Sequence, residues 1–155
     1  MASLAKRIVD NPKHFILLVL TAPFIYGLII PAVLADACTT LYQAICFPVY
    51  GIPKIKRRDY IVIDRHKLKH LNWAQKLNCV YCGYVNGVNA YCAEIAARTE
   101  WYWCPVKHGK NPPAPHAHYD RFIGYDDAAD FPQKLRVMRQ KCRACETGCD
   151  AAQKD

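Results

Sequence analysis

Charge is missing from one long stretch of this sequence, and acid is scarce in the remainder. Phe15 to Ala35 contains no Asp, Glu, Lys or Arg. A soluble surface helix needs a polar face, so this absence argues against one. At 1.5 Å per residue the run is long enough to cross a hydrocarbon core of ~30 Å. Over the whole chain 13 Asp and Glu stand against 21 Lys and Arg, a net charge of +8. Recognisable catalytic signatures are absent too. There is no nucleophile elbow, P-loop or dinucleotide fingerprint, and the His66–His70 pair (HKLKH) lacks the glutamate of a hydrolytic HExxH site. These absences point away from an enzyme.

What is present follows a simple order along 155 residues. Residues 1–36 read as a basic flank and a transmembrane helix, kinked by Pro23, Gly27 and Pro31. A cleaved signal peptide is the alternative, because Ala35-Asp36-Ala37 fits a small-x-small site, although the apolar run exceeds the usual h-region. Residues 37–70 read as an interfacial piece. Cys38, Leu41, Tyr42, Ile45 and Cys46 share one helical face, and Pro48 is expected to stop that helix. A basic collar follows, with Lys54, Lys56, Arg57, Arg58, Arg65, Lys67 and Lys69 against Asp59 and Asp64. Next to a membrane segment such a collar suits anionic lipid headgroups rather than nucleic acid. Basic residues on both sides leave a single span and a hairpin open; either keeps the following domain in the cytoplasm.

Residues 71–155 read as a small helical, cysteine-rich domain, so the fold class expected is mainly α with little strand. Tyr60–Ile63 is the one stretch that reads as a strand. Asn72 is a helix N-cap, and Asp130 with Pro132 marks the start of another helix at Phe131. Residues 109–119, rich in proline, form a loop in which His116 and His118 are expected to be solvated.

The chemistry-bearing stretch runs from Asn78 to His108. Cys79-x-x-Cys82 precedes a glycine, as in a metal knuckle, and Cys104 with His108 would complete a tetrahedral zinc site. A redox pair, or two cysteines on one helix face, are the other readings of the CxxC. Iron is the alternative metal. The four-ligand site needs the chain to turn near Asn86-Gly87 and to return extended over Thr99–Trp103, because one unbroken helix would part the ligands by roughly 30 Å. Cys92 reads as a core thiol. Near the end, Leu135, Met138, Cys142, Cys145 and Cys149 form a helical stripe. It is either a packing face or a second thiolate cluster of Cys142, Cys145 and Cys149.

Two resemblances bear on this. The run CVYCGY from Cys79 to Tyr84 resembles the first knuckle of rubredoxins, which implies iron and electron transfer, but lysine at Lys107 stands where the second CxxC needs cysteine. From Cys46 to His108 the chain resembles a group of uncharacterised bacterial membrane proteins, through ICFPVYGIPKIKRRDYIVIDRHKL, LNWAQKLNCVYCGYVNG and EIAARTEWYWCPVKH. That resemblance implies a cysteine-bearing domain anchored in the inner membrane and facing the cytoplasm. The function expected is an accessory or assembly protein with a structural zinc site, bound to lipid and to a membrane protein complex. A redox or metal-handling protein using iron or copper is the alternative.

Overall fold

The computed structural model describes residues 12–110 and 112–145. Among them the fold is mainly helical, without strands and with one isolated parallel bridge, Val106 to Ile123. Helix α1 covers Pro12–Gly27 and α2 covers Ile29–Tyr50. They form nearly one rod, interrupted only at Leu28, whose N–H turns back to Ile25 O at 3.3 Å. Pro31 lies one turn on and has no N–H to return to Gly27, so the ladder is weakest there.

The expected stop at Pro48 is not observed. Pro48 sits inside the last turn of α2, where fully buried Phe47 holds the backbone helical against the core. The helix ends three residues later at Gly51, in a left-handed conformation with φ +72°. Gly51 N–H bonds Pro48 O at 3.2 Å and Ile52 N–H bonds Phe47 O at 2.9 Å, a Schellman close. The expected interfacial helix is thus the second half of a longer one.

Helix α4, Trp73–Trp103, is the backbone of the domain. Asn72 caps it as the sequence predicts. Its side chain accepts Gln75 N–H at 2.8 Å, and Gln75 Oε1 accepts Asn72 N–H at 3.0 Å, a reciprocal capping box. The turn anticipated at Asn86-Gly87 is absent, and the helix passes straight through both residues.

Helices α2 and α4 run parallel. Contacts climb together along both, from Asp36 with Tyr84 at 2.9 Å, through Gln43 with Tyr91 at 3.0 Å, to stacked Tyr50 and Tyr102. Residues 51–72 must therefore return along the pair. They do so through a one-turn helix, α3 (Arg57–Tyr60), an extended piece and a 3-10 turn at Arg65–Lys67. The strand expected at Tyr60–Ile63 does not form, because this backbone lies on a helix rather than beside another strand. Its seat is Gly87, where an added Cβ would come within 2.8 Å of Tyr60 O and Ile61 Cα.

Beyond Trp103 the chain loops back, and α5 (Phe131–Ala144) packs on the last turns of α4. Asp130 occupies the N-cap position, but in a left-handed conformation (φ 50°) with no side-chain cap. Arg139 Nε donates to Tyr102 O at 3.1 Å, and Arg143 Nε donates to Tyr50 O at 2.9 Å. One core joins Phe47, Ile55, Tyr91, Ile95, Trp101 and Phe122.

Candidate functional site

The predicted zinc ligands are not brought together. Cys79, half-buried, and Cys82, exposed, lie one turn apart on α4, while exposed Cys104 is the C-cap of that same helix. Twenty-one residues of unbroken helix separate Cys82 from Cys104, so twenty-two steps of 1.5 Å put them roughly 33 Å apart. Thiolates on one zinc sit within about 4 Å of each other, so the four-ligand site fails on helix length alone. The fourth predicted ligand, His108, is engaged elsewhere. Its ring stacks on Tyr119, and its backbone N–H donates to Tyr119 Oη at 2.8 Å.

The C-terminal stripe does not rescue the CxxC pair. Cys142 is buried with its thiol 3.7 Å from Arg98 O, some 24 Å along α4 from Cys82. Burial pushes the Cys142 thiol up to about 11, the behaviour of a packed side chain rather than a ligand thiolate. Cys145 is disulfide-bonded, and Cys149 lies outside the described residues. Among the described residues no group of three or more His, Cys, Asp or Glu side chains is placed to hold a metal ion. Cys92 is half-buried in the α2–α4 seam, 3.3 Å from Thr39 Oγ1.

The structure assembles two other polar clusters. The first joins α2 to the returning segment. Asp36, only 7% exposed, accepts hydrogen bonds from Arg57 Nε at 2.8 Å and Tyr84 Oη at 2.9 Å, and ion-pairs with the Arg57 terminal nitrogen. The hydrogen bond to Asp36 raises the Arg57 pKa further, which keeps that guanidinium charged at any accessible pH. Two helical turns along, Gln43 behaves like a strand partner for Ile55. It accepts Ile55 N–H at 2.6 Å, donates to Ile55 O at 3.1 Å, and also bonds Tyr91 Oη. These bonds satisfy backbone groups that would otherwise be orphaned inside the protein.

The second cluster is Glu94, Arg98 and His118. Arg98 Nε donates to Glu94 Oε1 at 2.7 Å, and His118 Nε2 lies 3.0 Å from the same oxygen. Arg98 and His118 are 1% and 0% exposed, so His118 is a core residue, not the solvated loop residue expected. The loop folds inward there because Trp101 covers the imidazole, centroid to centroid 4.9 Å. Burial works against ionisation of Glu94, but hydrogen bonds from His118 and Arg98 outweigh it and hold its pKa below the carboxylate norm. The spacing Glu94-x-x-x-Arg98 is a helix ion pair legible in sequence; nothing in the spacing announces His118. With its carboxylate ionised and enclosed by two donors, the cluster holds charge in place and offers no free base.

The outer surface completes the picture. Along α1 and α2 the residues turned away from the domain are apolar and open: Phe24 is 80% exposed, Ile30 65%, Leu41 62% and Val49 76%. One helical run, Val19–Tyr50, is long and apolar enough to cross a membrane, and only 11% of its most apolar window is buried. Between α2 and α4 lies an open groove of about 600 Å³ lined by Cys38, Thr39, Tyr42, Cys92, Ala96 and Thr99. No protein-family model, curated protein or solved structure matches this chain.

Proposed function

We propose that this protein is a membrane-anchored accessory protein whose helical domain docks a membrane partner and performs no chemistry of its own. One observation carries the reading: α2 turns its polar residues, Asp36, Thr40 and Gln43, toward its own domain and, apart from Ala32, Tyr42 and Phe47, most of its large apolar residues outward. A soluble core helix does the opposite. The bilayer takes the early part of this face. Exposed Lys56, Arg57 and Arg58 lie at the level of Asp36, so the hydrocarbon ends before it.

Beyond that level Leu41, Ile45 and Val49 remain exposed, next to the groove between α2 and α4, whose floor has the small residues Cys38, Thr39, Cys92, Ala96 and Thr99 and whose sides include Tyr42 and Trp103. That surface suits a helix of a partner protein, since small residues allow close approach. The basic excess at residues 54–70 favours the cytoplasmic side of an inner membrane for the domain.

Photocrosslinking in cells tests the reading directly, with the crosslinker at Ile45 and at Lys110 as a control. A discrete membrane-protein adduct from Ile45 alone is the expected result; no adduct at Ile45, or equal adducts at both, would sink the docking role. Extraction of the full chain from membranes by alkaline carbonate would sink the anchor.

A further inference from the structure

The basic collar that the sequence presents as one block is divided by the fold. Its first half is tied high on the domain, since Ile55 pairs with Gln43 and Arg57 with Asp36. Its second half descends to the place where α1 leaves the domain. There Tyr26 Oη donates to Asn78, Tyr81 Oη donates to Ile25 O, and Ile63 and Leu77 flank Tyr26 and Ile29 around an apolar hollow of about 410 Å³. From Asp36 to Tyr26 is roughly 15 Å along the helices, more than a Debye length of ~8 Å, so the end of the segment near Trp73 and the part tied to Asp36 do not answer to one charged surface equally.

The lower half has the composition of a lipid interface. Arg65, His66, Lys67, Lys69 and His70 are all exposed, and Asp64 is the only acid among residues 62–77. Large apolar side chains stand open between them: Trp73 is 78% exposed, Val62 55% and Leu77 52%. The capping box at Asn72 fixes Trp73 at the first position of α4, so its exposure is built in. An exposed indole beside cations, where a membrane span emerges, matches the chemistry of the headgroup layer.

We propose that residues 62–77 form a docking surface for anionic phospholipid headgroups, with Arg65, Lys67 and Lys69 on the phosphates and Trp73 at the acyl boundary, while Lys54, Lys56 and Arg58 take no part. The proposal rests on the membrane-anchor reading. Continuity with the emerging span selects lipid as the occupant, and each cation at an anionic surface is worth about fivefold in binding.

The test is hydrogen exchange on the full chain in nanodiscs of phosphatidylcholine, with and without a minority of phosphatidylglycerol. The anionic lipid should slow exchange severalfold across residues 65–77, leave 54–59 unchanged, and lose its effect in high salt. Arg65→Glu/Lys67→Glu/Lys69→Glu should abolish the response, and Lys54→Glu/Lys56→Glu/Arg58→Glu should keep it. Protection of 54–59 instead, or no response from an inserted protein, overturns the headgroup surface while leaving the anchor standing. Failure to insert into either nanodisc overturns the anchor and the surface with it. The salt response of the unmodified chain decides the matter even where a variant misfolds.

Discussion

Replacing Gly87 by alanine tests whether the returning segment is truly seated on α4. The new Cβ would lie 2.8 Å from Tyr60 O and from Ile61 Cα, and 3.2 Å from Ile61 Cγ1. Ordinary carbon contacts fall near 3.5–4.0 Å, so the segment's backbone must retreat by roughly 0.7–1 Å. It has little freedom to do so, being pinned by Gln43 at Ile55 and by Asp36 at Arg57. Overpacking of this kind costs about 1–3 kcal/mol, offset by about 1 kcal/mol of helix propensity gained over glycine. The net loss expected is roughly 0–2 kcal/mol, centred on about 1 kcal/mol, or about 3 °C in melting temperature for a domain of this size. Gly83→Ala is the matched control, because its Cβ meets only Val62 O at 3.3 Å and a small shift relieves it. There the propensity gain should prevail, and the melting temperature should hold or rise slightly. Near-UV circular dichroism of the detergent-solubilised full chain reads both. If the two variants melt together, or if Gly87→Ala melts higher, the segment does not lie where the structure puts it.

Three further outcomes follow from the buried groups. Gln43→Leu should cost about 2–4 kcal/mol in denaturant unfolding, because it strands both Ile55 backbone groups; a loss below 1 kcal/mol would mean that water or another side chain reaches them. Glu94→Gln should cost about 3 kcal/mol by leaving the Arg98 cation buried without a counter-charge. Because the folded pKa of Glu94 is depressed, its stabilisation is present above the unfolded value of about 4.3 and is lost as pH falls through the folded value. The variant should therefore show a flatter acid limb than the parent, and parallel limbs would refute the assignment. Finally, iodoacetamide at about pH 8 should label exposed Cys104 and spare Cys142, whose thiol at about 11 is ionised in only about one molecule per thousand there. Peptide mass spectrometry reads the difference, and equal labelling would remove Cys142 from the core.

Local chemistry was legible in the sequence, and tertiary arrangement was not. The capping box at Asn72, the apolar span and the helix from Phe131 follow from neighbours within four residues, which sequence displays. The parallel pairing of α2 with α4 depends on contacts such as Tyr42 with Thr99, which are 57 residues apart. Pro48 misled for the same reason. Its local cost is real, but a fully buried Phe47 on the preceding position outweighs it. Tyr60–Ile63 has the side chains of a strand, yet the partner it meets is a helix made thin by Gly87.

The candidate site shows the reverse error, where a local motif was given long-range meaning. A CxxC reads as a knuckle only if the chain turns after it, and AYCAEIAAR, with alanine at Ala90, Ala93, Ala96 and Ala97, is strong helix sequence that gives no turn. The same stretch already contained Glu94 and Arg98 one turn apart, and the useful question was what a buried pair of that kind would recruit. One donor does not exhaust a carboxylate oxygen, which has two lone pairs. A second donor from elsewhere in the chain could therefore be accommodated, and His118 supplies it at the same Oε1 that Arg98 occupies. Asp36 and Gln43 follow the same logic. In an apolar helix, polar residues seven apart lie on one face, and that face must find donors or leave the membrane. Arg57, Tyr84 and the Ile55 backbone are the donors it finds, which is why the domain folds against α2 and its apolar side is left for other company.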